Sequence, residues 1–168
     1  FAEPGQTGDR GVAILNAATG IGLMIGMVVA NRIGAWVSAR KAVGTFIGWM
    51  LVASGLVFAL SAAAPNIWVM ALVFVVNRAI LSAEYAVQDT VLMVALPDGL
   101  RGKVHTIDRS IELAIYGLSA LVAGLLFTVL EPRAVPLISG LLMALPGAIW
   151  LIALSRGRIS VGHRALGS

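Results

Sequence analysis

The stretch AVGTFIGWMLVASGLVFALSAAA, residues 42–64, carries no charged side chain from end to end. A helix of about 20 apolar residues crosses the hydrocarbon of a bilayer, and this run is long enough to do so. A helix that is apolar all round belongs in a membrane or in the centre of a large protein, so the rest of the chain decides between the two. Four further stretches are long and predominantly apolar: GVAILNAATGIGLMIGMVVAN at about 11–31, then about 67–96, 104–130 and 135–155. The expected fold is therefore an all-α membrane protein, a single domain of about five transmembrane helices. FAEPGQTGDR ahead of the first span reads as a loop, and RIGAWVSARK, Pro65–Asn66, PDGLRGK and EPR read as connections.

Composition excludes the soluble reading. Of 168 residues 59% are hydrophobic and 12% charged, with a mean hydropathy of +0.94, whereas soluble domains carry about 25% charged residues. The chain has no cysteine, which removes disulfides, thiolate metal sites and thiol nucleophiles. A net charge of +4 raises the question of nucleic acid. The basic residues are scattered over short links and a tail without interleaved aromatics, however, so they fit membrane topology and no nucleic-acid partner is expected. The 11–31 stretch is too long for the apolar core of a signal peptide. The opening Phe1, in place of Met, suggests a piece of a longer protein.

Charge sets an expected orientation. Arg32, Arg40 and Lys41 occupy the first link, Arg101 and Lys103 the third, and Arg156, Arg158 and Arg164 the tail, while the turn after Ala64 has no charge and the one at Glu131–Arg133 a single basic residue. Basic connections alternate with nearly uncharged ones, as the positive-inside rule requires. The links at 32–41 and 97–103 and the basic tail 156–168 are thus expected in the cytoplasm, with the N-terminal segment outside. A plasma (inner) membrane location with a cytoplasmic C-terminus follows. Ala18, Gly22, Gly26 and Ala30 recur every four residues, and Gly44 and Gly48 repeat the pattern. Small residues so spaced let two helices approach closely.

The third span carries the chemistry. At about 100° per residue, Arg78, Ser82, Tyr85 and Asp89 share one face, with Asn77, Glu84 and Gln88 in a second row beside it. Arg78 falls roughly 16 Å along the span at 1.5 Å per residue, near the midplane, where a charge costs at least about 2.5 kcal/mol. Such a face must line a cavity or a helix interface. Either Arg78 and Glu84 contact a substrate or relay charge, or Arg78 forms a structural pair with a carboxylate. Asp89, nearer the membrane surface, is expected in a salt bridge to Arg32, Arg40 or Lys41. On the fourth span His105, Asp108, Glu112, Tyr116 and Ser119 share one side, with Arg109 able to pair with Glu112 at i+3. Gly117, Ala120, Gly124 and Thr128 share the other side, which reads as a packing face. His105 and Asp108 are expected to be solvated at the interface, leaving Glu112 as the candidate titrating group. Asn77, Arg78, Ser82, Glu84, Tyr85, Gln88 and Glu112 are therefore the candidates for a substrate or ion pathway.

Other chemistries find no support. Gly20, Gly22 and Gly26 lie on a membrane helix and lack the spacing of a dinucleotide fingerprint. No phosphate-binding GxxxxGK[ST] run is present, and His105 and His163 stand isolated, so no metal, cofactor or catalytic constellation is expected.

The order of these stretches resembles the major facilitator superfamily. AATGIGLMIGMVVANRI looks like that family's helix leading into its cytoplasmic loop, of whose basic signature Arg40 and Lys41 remain. Ala35 and Trp36 stand where its Asp and Arg would be, and Ser38 replaces its Gly. ALPDGLRGKV, containing Arg101, resembles the link between the fourth and fifth helices of a half. LSALVAGLLFTVLEPRA resembles the helix and outer turn that follow. The resemblance implies the eighth to twelfth helices of a secondary transporter of the bacterial drug and siderophore exporter type. It also implies a bilayer, a small organic substrate, protons as the candidate coupling ion, and a missing N-terminal half as partners. The alternative is a non-transporting membrane scaffold or the membrane domain of a fused enzyme.

Overall fold

In a computed structural model, residues 7–39, 43–131 and 133–156 are described. They form α1 (Thr7–Ala39), α2 (Val43–Leu60), α3 (Ile67–Ala95), α4 (Asp98–Val129) and α5 (Ala134–Ser155), with one 3₁₀ turn at Ser61–Ala63. No strand occurs among the described residues, and all five helices are long and apolar enough to cross a membrane. The chain is an all-α, multi-pass membrane bundle.

The breaks between helices have local causes. Ala64 and Leu96, each preceding a proline, have ψ of 122° and 138°, the extended conformation that proline imposes on its predecessor. Asn66 then caps α3, its side-chain oxygen accepting from the Val69 amide at 2.9 Å. α1 and α4 outrun their expected spans. α1 begins at Thr7 and continues to Ala39, through stretches expected to be loop and link, and α4 starts at Asp98, inside the expected 97–103 link. Backbone hydrogen bonding continues into the polar layer because nothing in those segments interrupts it. Arg40, Lys41 and the 157–168 tail lie outside the described residues.

Helix pairing follows the small residues. Ala18, Gly22, Gly26 and Ala30 are all buried and run alongside α3. A Cβ on Gly22 would sit 2.5 Å from the Val75 carbonyl oxygen, and one on Gly26 would collide with that of Ala79. Gly22 faces Val75, Gly26 faces Ala79 and Gly34 faces Val87, so α1 and α3 are parallel. α2 and α5 run antiparallel, with Gly55 against Gly140 and Gly48 against Trp150 and Leu151. A Cβ on Gly140 would lie 2.5 Å from both the Ala59 nitrogen and the Gly55 oxygen. Backbone proximity of this kind supplies the dispersion contacts that hold helices together where lipid is as apolar as the side chains. The two pairs join through α3 and α2, where Asn77 Nδ2 donates to the Ser54 carbonyl at 2.8 Å.

α4 stands apart. Its apolar window is 0% buried, and it touches the other described helices mainly along α5. Of the expected packing face, Gly117 and Gly124 have nothing within 4 Å among the described residues, and Ala120 lines a cavity. α4 turns polar side chains from His105 to Glu112 toward the other helices, and mainly apolar ones from Tyr116 to Phe127. The N-terminal ends of α2 and α4 and the C-terminal ends of α1, α3 and α5 share one end of the bundle, called here the α3–α4 end.

Candidate functional site

Because α4 is set off from the other helices, a crevice opens between them. At the α3–α4 end it widens into a cavity of about 750 Å³. Ile47 and Leu51 of α2 and Met143, Pro146 and Trp150 of α5 make its apolar wall. α3 supplies Leu81, Glu84, Tyr85, Gln88 and Asp89, and α4 supplies His105, Asp108, Arg109, Ile111, Glu112 and Ile115.

Each polar group reaches the cavity for a local reason. His105, Asp108 and Glu112 follow one another at three- and four-residue steps, so one stripe of α4 presents them all. Arg109 is held on that stripe by an ion pair with Glu112, one turn away. Tyr85 lies close enough to Glu112 to interact with it across the gap. Glu84 is only 5% exposed, and its Oε2 is buried with no hydrogen-bond partner among the described residues. A carboxylate withdrawn from water without a donor is costly, so Glu84 is the least satisfied acid of the site.

The seven pathway candidates are thus divided. Glu84, Tyr85, Gln88 and Glu112 line the cavity together; Asn77, Arg78 and Ser82 do not. Asn77, 3% exposed, is spent on the Ser54 carbonyl. Ser82 donates to the Leu23 carbonyl of α1 at 3.1 Å. The Arg78 Cβ lies 2.8 Å from where a Cβ on Gly22 would be; its Nε is buried without a partner, and no ion pair of Arg78 is present among the described residues. The row Arg78–Ser82–Tyr85–Asp89 is split because α1 covers it as far as Ser82. Beyond that point α1 slides across to Val87, 3.8 Å from the Gly34 position, and Tyr85 and Asp89 are released to the crevice.

Asp89, expected in a loop salt bridge, lines the cavity, and two of its expected partners, Arg40 and Lys41, lie outside the described residues; His105 and Asp108, expected to be solvated, are exposed and line the cavity too. Arg101 Nε donates to the Leu96 carbonyl at 3.0 Å, tying the first turn of α4 to the link before it. Trp150, whose expected role from sequence is interface anchoring or packing, is a wall residue. Its indole nitrogen donates to the Gly44 carbonyl at 2.9 Å, which fixes the ring beside the site. A tryptophan inside a span, whose N–H must find a partner away from water, is the signal the sequence offers.

The crevice continues to the opposite end as a second cavity of about 600 Å³. Its lining is mainly aromatic and aliphatic: Phe58 and Phe74, whose ring centres are 6.0 Å apart, with Met70, Tyr116 and Phe127, and with Arg133 at the wall. Among the described residues no three His, Asp or Glu side chains are grouped to hold a metal ion. No family model, curated protein or solved structure matches this chain.

Proposed function

We propose that this chain is part of a secondary active transporter that exports a small organic molecule by alternating access, with the crevice beside α4 as part of the substrate path. The observation that carries the reading is Glu84, a carboxyl group buried within a membrane span, unpartnered, and bordering a cavity of about 750 Å³. Ionisable residues at such depth are expensive, and the usual return is an ion or substrate pathway. Cavities of roughly 300–1,000 Å³ are the size that takes a small organic ligand. A scaffold would neutralise its buried charges in salt bridges; here polar groups of two helices face open space instead.

The resemblance to a major facilitator half supports the same reading, with rocking of helical bundles as the working motion and protons as the candidate coupling ion. The uncovered side of α4 is then where a further helical half would meet this one. The basic α3–α4 end faces the cytoplasm of a plasma membrane on the positive-inside rule.

The test is made with the full-length protein in a host stripped of its own exporters, loaded with a panel of fluorescent organic compounds. Expression should lower retention of at least one compound, and Glu84→Gln and Glu112→Gln should abolish that effect while protein levels hold. Export that continues unchanged in both variants would sink the proposal.

A further inference from the structure

We infer that Arg78 is the docking point for a further transmembrane helix, one that lies outside these 168 residues and carries an aspartate or glutamate at mid-span. The inference goes beyond the transport reading, since a scaffold would need the same partner. Arg78 lies roughly 16 Å along α3 at 1.5 Å per residue, far from either end of the helix, and its Nε is buried without a hydrogen-bond partner. It has no ion pair among the described residues. A guanidinium keeps its proton at every physiological pH, so it cannot neutralise itself as a buried carboxyl group can. Its charge stays expensive at that depth until a carboxylate comes to it.

The chain's own acids do not supply it. Glu84, Asp89, Asp108 and Glu112 line the cavity, and Glu112 is already held by Arg109. Asp9 and Asp98 belong to the first turns of α1 and α4, and Glu131 follows the end of α4; Glu3 lies outside the described residues, ahead of Asp9 in the chain. α2 and α5 contain no acid. One flank of Arg78 is open to a newcomer. On the other flank α1 packs so closely that a Cβ on Gly22 would lie 2.8 Å from the Arg78 Cβ. Phe74 and Leu81, within about 60° of Arg78 around the helix, border the two cavities, and α4 makes its contacts mainly with α5. A helix laid along this row would bring its carboxylate to Nε and one terminal nitrogen, the paired contact that a guanidinium offers. Lipid phosphates stay at the headgroup level, outside the hydrocarbon, and a transported anion would leave Arg78 bare for part of each cycle.

The experiment places the photoreactive residue p-benzoylphenylalanine at position 78 of the full-length protein, irradiates it in membranes and identifies the cross-linked peptide by mass spectrometry. The expected peptide belongs to a membrane span outside residues 1–168, with an Asp or Glu within one turn of the cross-link. Should that variant fail to fold, the same probe at Tyr85, on the same row of α3, should reach the same span. Arg78→Gln and neutralisation of that span's acid should each lower the thermal unfolding midpoint in detergent by at least about 5 °C, and the double variant should return to within about 2 °C of the parent. Cross-links confined to lipid, to residues 1–168 of this or a second copy, or to a span with no acid would overturn the inference. Additive losses in the double variant would overturn it too. Rescue in a protein without transport activity would sink the transport reading and leave the docking point standing. Unchanged stability of Arg78→Gln with export abolished would do the reverse.

Discussion

Asn77 and Arg78 are sequence neighbours with opposite circumstances. The Asn77 amide spends one of its hydrogens on a backbone carbonyl of α2, whereas the Arg78 Nε has no acceptor. Interhelical hydrogen bonds in membranes average about 0.6 kcal/mol, with an upper range near 2. Asn77→Leu should therefore cost about 1 kcal/mol, read as a lower midpoint in thermal unfolding in detergent; an unchanged midpoint would mean that the bond adds nothing. Arg78 and Glu84 sit on different sides of α3, one beneath α1 and the other at the cavity. Arg78→Gln and Glu84→Gln should then act independently, their double variant departing from additivity by less than about 0.5 kcal/mol. Rescue of stability in the double variant would reveal a direct pair instead. Helical spacing made the polar side of α3 legible, but not which polar residue meets which neighbour. A wheel reports angles about one axis, and the crossing of α1 decides where along the row coverage ends. Glu84 and Glu112 were within reach of sequence reasoning; that Arg78 and Ser82 belong to the α1 seam was not.

The helices divide into two kinds according to how their glycines are used. On α1, α2 and α5 glycine allows backbone to touch backbone, and any added side chain meets a main-chain atom or a packed side chain at 3.0 Å or less at Gly22, Gly26, Gly48, Gly55, Gly140 and Gly147. On α4 the glycines face open space. Gly22→Leu, Gly26→Leu and Gly140→Leu should each lower the yield of monodisperse protein several-fold, because main chain cannot yield as a flexible side-chain end can. Gly124→Leu should behave as the parent does. Size-exclusion profiles of the four variants distinguish the outcomes, and a severe loss with Gly124→Leu would mean that α4 packs against something in the isolated protein. The four-residue spacing on α1 coincides with its seam against α3, while the small residues on α4 meet no neighbour among the described residues. Small residues permit close approach without specifying that a neighbour exists. Hydropathy located every span for a firmer reason, since the cost of polar side chains in lipid acts on composition alone, while helix ends answer to prolines and caps.

The described residues form two tight helix pairs, joined at α2 and α3, with α4 leaning against them along a crevice that is polar at one end. The chain has no cysteine of its own, so single cysteines can be introduced as reporters. Gly99→Cys and Arg156→Cys should label from the same side of the membrane and Glu131→Cys from the other, using an impermeant maleimide on oriented vesicles; a shared pattern for Gly99 and Glu131 would overturn the bundle. Spin-label pairs should give a broad distance distribution between α4 and α5 at Gly117 and Leu141, and a narrow one between α1 and α3 at Leu23 and Val76. Equal widths would mean that α4 is fixed as firmly as the rest. The α2–α5 seam also imposes an order on biogenesis. Gly55 leaves the ribosome long before its partner Gly140, so during synthesis α2 waits in the bilayer with its contact face bare while two more helices are inserted. A nascent chain stalled before residue 134 should consequently be a substrate for membrane quality-control proteases, and the stalled species should become resistant only once α5 has been released from the translocon.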